Sequence, residues 1–433
     1  MRKRSRMPRD LRDVKTKRAY FDEKETRSPE KRREDQAKQL AAMMRLAARK
    51  SPLIGKQIES LGVKPVKSSA FDLLSRLPVI SREKIVQMQL DDPPYAGLGN
   101  PEAAIDRIFT SPGPVYEPHL SESDPIWARA YHAAGFGPGD VVLNAFSYHL
   151  VAAGLTFHGG LRRVGATVVP SGASSAAIQV QLIRDLGVTG YTGTPSFLKA
   201  VIEKAEEAGH DFRKDFRVRR ASFAAEPLHP ALREEFEKRY GIDTYQMYGA
   251  TEVGDVAYEC REKAGWHLCE EVIVEILDPE TGREVPTGEL GEVVVTRPNG
   301  IFFLMRFGTG DLARLLPGRC PCGRTSPRLA GIAGRVGEAV KVRGLFVAPS
   351  QLRKIAERFP RWKFQVVVTR TANRDVLTVR VEVPETERGK EALAPFERYF
   401  AEICTVRVDR LEEVPPGSLA EGYKAIVDER SWK

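Results

Sequence analysis

Between Asp140 and Val253 the sequence alternates short apolar, β-branched runs with amphipathic stretches of helix length. VVLNAF leads into SYHLVAAGLTFHGGLRRVG, ATVVPSG into SSAAIQVQLIRDLG, VTGYTG into TPSFLKAVIEKAEEAG, and RRASFAAEP into LHPALREEFEKRYG, before DTYQMYGATEV closes the series. Tight hairpins cannot connect strands spaced this way. A helix-length crossover returns the chain to the same end of the sheet and leaves successive strands parallel. The pattern therefore predicts a doubly wound α/β sheet. Such sheets bind ligands beyond the carboxyl ends of their strands. Three candidate loops fall there: TGTPS (192–196), AAEP (224–227) and YGATEV (248–253).

Outside this region the character changes. EDQAKQLAAMMRLAARK is rich in helix formers and carries Leu40, Met43, Met44 and Ala47 on one face. After residue 265, WHLCEEVIVEILDPETG, ELGEVVVTRP and FFLMRFGTGDLARLL read as antiparallel strands with turns at PETG and PTGE. GRVGEAVKVRGLF is punctuated by glycine. KFQVVVTRTANRDVLTVRVEV then reads as a hairpin, KEALAPFERYFAEIC as a helix and TVRVDRLEEV as a last strand. The expected division is a basic, disordered tail over 1–18, a large α/β domain over 19–334 with its antiparallel region, and a small, mobile α+β lid over 335–433.

A chain of 433 residues exceeds one ordinary domain. No apolar run approaches the roughly 18 residues that span a bilayer, and no apolar segment follows the basic start as a secretory signal requires. Five cysteines, an odd number, fit a reducing, cytoplasmic setting better than a disulfide framework. The formal charge of +9 suggests nucleic acid, but residues 1–18 hold nine Lys/Arg against two Asp. That surplus of seven leaves only about two positive charges for the whole remaining body, so neither nucleic acid nor a membrane is an expected partner.

Four stretches carry chemistry. In YGATEV, Tyr248 offers a ring for a flat heterocycle, Thr251 a hydroxyl for a phosphate oxygen, and Glu252 a hard carboxylate for Mg²⁺. The alternative is a strand-ending turn with Tyr248 packed and Glu252 solvated. In GTGDLARLL, Asp311 can accept from a ribose diol, although Asp after Gly is also ordinary turn chemistry. Cys260, His267, Cys320 and Cys322 offer the thiolates and imidazole that suit tetrahedral zinc, or are reduced buried thiols. In EGYKAIVDE, Lys424 follows a flexible glycine that would let a terminal loop carry its ammonium into a site; a plain surface lysine is the other reading.

Taken in order, these segments resemble the phenylacetate–coenzyme A ligase family of adenylate-forming enzymes from about residue 20 to the C-terminus. YGATE is shared across adenylate-forming enzymes. CPCGRT, followed at this distance by GR and FVAPSQ, is more particular to the family. The resemblance implies ATP, Mg²⁺ and coenzyme A as substrates and cofactor, a small carboxylic acid as partner, and structural zinc on Cys260, His267, Cys320 and Cys322. It leaves a homodimer open as the assembly. It gives Tyr248 the adenine, with Gly249, Ala250, Ala225, Glu226 and Pro227 lining the nucleotide. Thr251 takes the α-phosphate, Glu252 Mg²⁺, Asp311 the ribose, and Arg335 the ribose or hinge. Lys424, Glu252 and Thr251 are the catalytic set. Tyr148, His149, Leu150, Thr194 and Pro195 line the acid, an aryl or arylalkyl carboxylate. Phe197 is expected to pack the core.

Three features depart from that pattern. The family's phosphate loop is usually a Ser/Thr/Gly run ending in Gly-Lys-Pro. Here it is TSPGPVYEP, with no lysine and two prolines that lack N–H donors, so Thr110, Ser111 and the Gly113 N–H remain. Gly337 and Glu338 stand where the family often has two acidic residues. Lys424 matches the catalytic-lysine region only across a one-residue gap. The expected activity is ATP-dependent formation of an acyl-adenylate and then an acyl-CoA thioester. The alternative is a catalytically impaired, nucleotide-binding paralogue with a regulatory or scaffold role.

Overall fold

In the computed structural model, which describes residues 19–111, 114–343, 345–371, 374–384 and 390–430, the βα alternation becomes a parallel sheet. The expected tail, 1–18, and Gly113 lie outside the described residues. The chain divides into one unit of residues up to Ile273 with Thr296–Arg306 and Gly318–Arg328, and a second of Val274–Val295, Phe307–Pro317 and Leu329 onward.

In the first unit a hairpin of β1 (Arg107–Ser111) and β2 (Val115–His119) precedes the sheet strands. These are β3 (Val141–Asn144), β4 (Thr167–Val169), β5 (Gly190–Gly193), β6 (Arg220–Phe223), β7 (Asp243–Ala250), β8 (Gly254–Glu259) and β9 (Trp266–Leu268). Their order is β4-β3-β5-β6-β7-β8-β9. Pairing is parallel from β4 to β7 and antiparallel for β7–β8 and β8–β9. The chain runs outward from β3 to β4 and then crosses back to β5. The order therefore reverses between β3 and β5, where doubly wound sheets open a crevice.

Period-2 alternation explains why helices cover both faces. On β5, Tyr191 joins the cluster with Leu198, Val201 and Ile202 of a helix over Pro195–Glu207. Its neighbour Thr192 points the other way and meets Tyr131 Oη at 2.8 Å. The N-terminal helix α1 (Pro29–Lys50) is capped by Ser28, whose hydroxyl accepts from the Lys31 N–H, and it buries the expected Leu40, Met43, Met44 and Ala47.

Apart from the end residues Ile273, Thr296 and Arg328, the second unit contains β10 (Ile273–Leu277), β11 (Gly291–Thr296), β12 (Phe307–Leu316) and β13 (Arg328–Arg335), with β11 and β12 antiparallel as expected. A separate four-stranded sheet follows, with β14 (Lys363–Thr371) and β15 (Arg374–Glu382) as the predicted hairpin. Helices α2 (Pro349–Arg358) and α3 (Lys390–Cys404) supply Leu352, Ile355, Phe396 and Phe400 to its core. The expected last strand, β16 (Arg410–Val414), is not the last. Ile426–Asp428 adds β17, parallel to β14, so the segment read as a free terminal loop ends in a ladder.

Candidate functional site

Tyr248, Gly249 and Ala250 are strand rather than loop, because β7 runs to Ala250; only Thr251–Val253 form the turn. Gly249 sits at a register shift, and a Cβ there would meet the Gly254 carbonyl oxygen at 2.3 Å. The backbones approach too closely for any side chain. The half-buried Tyr248 ring stacks on Trp266, with centroids 5.8 Å apart.

Beyond the strand, Thr251 Oγ1 donates to Glu252 Oε2 at 3.2 Å. The Glu252 side chain is fully buried, not solvated, and forms an ion pair with Arg82. Arg82 opens a helix over Arg82–Asp91 that is capped by Ser81. Its Nη2 also donates to Ser111 Oγ at 3.1 Å, and Ser111 Oγ donates to Glu117 Oε1 at 2.7 Å. The β1–β2 hairpin alternates faces, so Phe109, Ser111, Val115 and Glu117 all turn inward. Glu117 is only 5% exposed, and its Oε2 has no hydrogen-bond partner. Burial pushes this carboxyl up to about 7; the Ser111 hydrogen bond opposes the shift and the Glu252 charge adds to it. Thr110 holds the hairpin to the next loop, its N–H donating to the Leu150 carbonyl at 2.8 Å.

At the other strand ends, Thr194 caps the helix after β5 and Pro195 is its first residue. Ser196 Oγ donates to both Glu226 oxygens, at 2.8 and 2.7 Å, which ties the 192–196 and 224–227 loops together. Ala225 has φ +68, left-handed backbone that costs a non-glycine residue energy, and Ala225 and Pro227 are exposed. Tyr148 is half-buried. Its hydroxyl accepts from Asn144 Nδ2 at 2.8 Å and lies 3.1 Å from His158 Nδ1. Burial raises the Tyr148 pKa to about 12. His149 and Leu150 are exposed, and Phe197 packs against the core as expected.

Cys260, His267, Cys320 and Cys322 converge, buried, with their ligand atoms all within 4.8 Å of one another. Ligands about 2.3 Å (sulfur) and 2.0 Å (nitrogen) from one tetrahedral centre lie roughly 3.8 Å apart for two sulfurs and about 3.5 Å for sulfur and nitrogen. The observed separations are 3.8 Å for Cys260–Cys320 and 3.3 Å for Cys322 Sγ–His267 Nε2, so the set fits a zinc ion. His267 Nδ1 lies 3.3 Å from Ser326 Oγ, which orients the ring. Hydrogen bonding from Cys260, against the opposing effect of burial, and then from His267 lowers the pKa of the Cys322 thiol. Cys269 lies one residue past β9, buried outside this set.

In the second unit Asp311 and Arg335 meet, Nε to Oδ1 at 3.3 Å, and the Asp311 N–H donates to Thr309 Oγ1 at 3.1 Å. Gly310, with φ +72, and Asp311 lie inside β12 rather than at the end of a glycine turn. Lys424 is exposed just ahead of β17, its carbonyl accepting from Gln365 Nε2 at 2.8 Å.

Sequence reasoning passed over Arg82, Glu117, Ser196 and Trp266. Glu117 had a signal, since hairpin alternation places it on the face of Ser111 and Val115. Arg82, 170 residues from Glu252, had none.

The family model described as AMP-binding enzyme matches residues 121–304. The chain is 30% identical over 393 residues to a phenylacetate-coenzyme A ligase of Thermus thermophilus, covering 87% of each chain. It is 32% identical over 380 residues to one from Aromatoleum evansii, covering 83% of this chain and 84% of that one. A crystal structure of 2-hydroxyisobutyryl-CoA ligase in an open conformation, with 2-HIB-AMP and CoA, superposes with a TM-score of 0.82 at 24% identity. It covers 94% of this chain and 93% of that one, and shares the fold.

Proposed function

The chain belongs to the phenylacetate–coenzyme A ligase family, and from that premise we propose that it activates a carboxylic acid with ATP and passes the acyl group to coenzyme A. A carboxylate oxygen attacks the α-phosphorus, the bond to the β-phosphate breaks and pyrophosphate leaves. The coenzyme A sulfur then attacks the acyl carbonyl and AMP leaves. An aryl or arylalkyl acid, with Tyr148, His149, Thr194 and Pro195 around it, is the proposed substrate.

The observation that carries this reading is the juxtaposition of the Thr251–Glu252 turn, Ser111 and Arg82 beyond the carboxyl end of β7. Tyr248, braced by Trp266, takes the adenine, and Ala225, Glu226 and Pro227 line it. The Thr251 hydroxyl donates to the α-phosphate, while Thr110 and Ser111 meet the phosphates that leave. Glu252 and the neighbouring hydroxyls are hard oxygen donors of the kind Mg²⁺ prefers, so the residues fit the ion. When bound, Mg²⁺ neutralises charge on the phosphates. In the second unit Asp311 is assigned the ribose hydroxyls, beside Arg335, and Lys424 the developing negative charge, on the strength of their sequence motifs. Cys260, His267, Cys320 and Cys322 hold zinc as a structural ion. The cytoplasm is the proposed setting; among the described residues no helix is long and apolar enough to cross a membrane.

Pyrophosphate release across aryl and aliphatic acids, with and without coenzyme A, tests the proposal. Acid-dependent release, with thioester formed only when coenzyme A is present, is expected. The buried Glu117 carboxylate beside a lysine-free phosphate loop favours a second reading, nucleotide binding without adenylation. Tight ATP binding with no release for any acid would select it.

A further inference from the structure

Two carboxylates, not one, belong to the buried network beside the β7–β8 turn. The residues Glu252 and Glu117 are 8% and 5% exposed; Glu252 pairs with Arg82, Arg82 donates to Ser111, and Ser111 donates to Glu117. Arg82 gives Glu252 its ion pair, and Ser111 gives Glu117 one hydrogen bond. Glu117 Oε2 is buried and makes no hydrogen bond of good geometry, although Thr251, whose hydroxyl donates to Glu252, also helps lower the pKa of the Glu117 carboxyl. A buried carboxylate oxygen with no partner is costly, and a cation relieves that cost directly. Mg²⁺ takes one or two carboxylates together with substrate phosphate oxygens and water. The hairpin puts its carboxylate two residues after Val115, on the arm that returns from the phosphate loop. There an ionised carboxylate would repel a triphosphate, and a shared divalent cation both favours the ionised form and turns that repulsion into attraction.

We propose that Glu117 joins Glu252 in holding the divalent cation that accompanies the nucleotide, so that the site binds metal through two carboxylates, one from the phosphate hairpin and one from the β7–β8 turn. This rests on the nucleotide reading above. It makes Glu117 the hairpin's answer to its missing lysine. The lysine would contact phosphate oxygens directly, whereas the carboxylate contacts them through the metal. Arg82 pairs with Glu252 while the metal is away.

The test measures binding, not turnover. Mn²⁺ serves as the probe, its free fraction read by electron paramagnetic resonance, with ATP present and no acid; metal-free ATP affinity is measured separately in chelator. Wild type is compared with Glu117→Gln, Glu117→Asp and Glu252→Gln. Glu117→Gln is expected to weaken Mn²⁺-dependent ATP binding about tenfold or more, the scale for losing a group that supports a metal site. Metal-free ATP should bind it as well as wild type, or more tightly, because a repelling charge is gone. Glu117→Asp, which keeps the carboxylate, should lose less. A Glu117→Gln protein that binds Mn²⁺ and ATP like wild type, while Glu252→Gln does not, overturns the role of Glu117 and leaves the nucleotide reading intact. Equal weakening with and without metal also overturns it, since a packing role would move both. Wild type that binds no ATP in either condition overturns both readings together.

Discussion

Tyr248 and Trp266 stack with their ring planes inclined by 28°, so the residue expected to meet adenine is itself backed by a second aromatic. Trp266 lies on β9, two strands from β7, and reaches Tyr248 across β8. Stacking of a base on an aromatic side chain contributes about 1–3 kcal/mol. Tyr248→Ala should therefore weaken ATP binding by about 5- to 150-fold. Trp266→Leu, which frees the Tyr248 ring without touching the base, should weaken it less. Calorimetric titration of both variants checks the order. Equal affinity in Tyr248→Ala and wild type would remove Tyr248 from the nucleotide.

The zinc assignment predicts about one zinc per chain, set by four ligands around one tetrahedral ion. Elemental analysis of protein purified without added metal measures it. Chelation, or Cys320→Ser, should lower the thermal midpoint, because the ion joins β8, β9 and the 318–328 loop and is bound only when they are folded. Metal-free protein with an unchanged midpoint would show that the four residues are simply packed thiols and a histidine.

Lys424→Ala should slow adenylation by about 10²–10³, the range for removing one preorganised charge contact from a transition state. The Lys424 backbone is held by Gln365 and by the start of β17, so truncating the exposed side chain should leave the fold intact. Unchanged pyrophosphate release would move the role to another residue.

Glu25 is wholly buried and accepts from Arg324 Nε at 2.6 Å and Tyr258 Oη at 2.7 Å. Removing one partner of a buried pair strands the other charge, at a cost of about 3–5 kcal/mol. Arg324→Met should lower unfolding stability by that order in urea titration. Adding Glu25→Gln should recover part of the loss. A double variant no more stable than Arg324→Met would mean that the charge of Glu25 is not the cause.

Chemistry local to the sequence was enough for the framework. The β3–β7 strands and their crossovers follow from apolar runs and helix-length spacers, and the buried face of α1 follows from its 3.6-residue period. The β14–β15 hairpin was legible for the same reason, as was the place of the candidate loops at the carboxyl ends of β5, β6 and β7. Such patterns are written between near neighbours, and they predict a ligand-binding edge without saying what the edge contains.

The tertiary structure alone decided which side chains share that edge. Nothing near Glu252 in the chain announces Arg82, and nothing near Ser196 announces Glu226; these pairs exist because separate loops are brought to one rim. Burial decided the rest. Hairpin alternation puts Glu117 of TSPGPVYEP on the face of Ser111 and Val115, but only the folded hairpin strips its water, and only then does Glu117 become a group that a cation would relieve. Terminal strand β17 was missed likewise, since three residues carry too little pattern and gain their ladder only from β14.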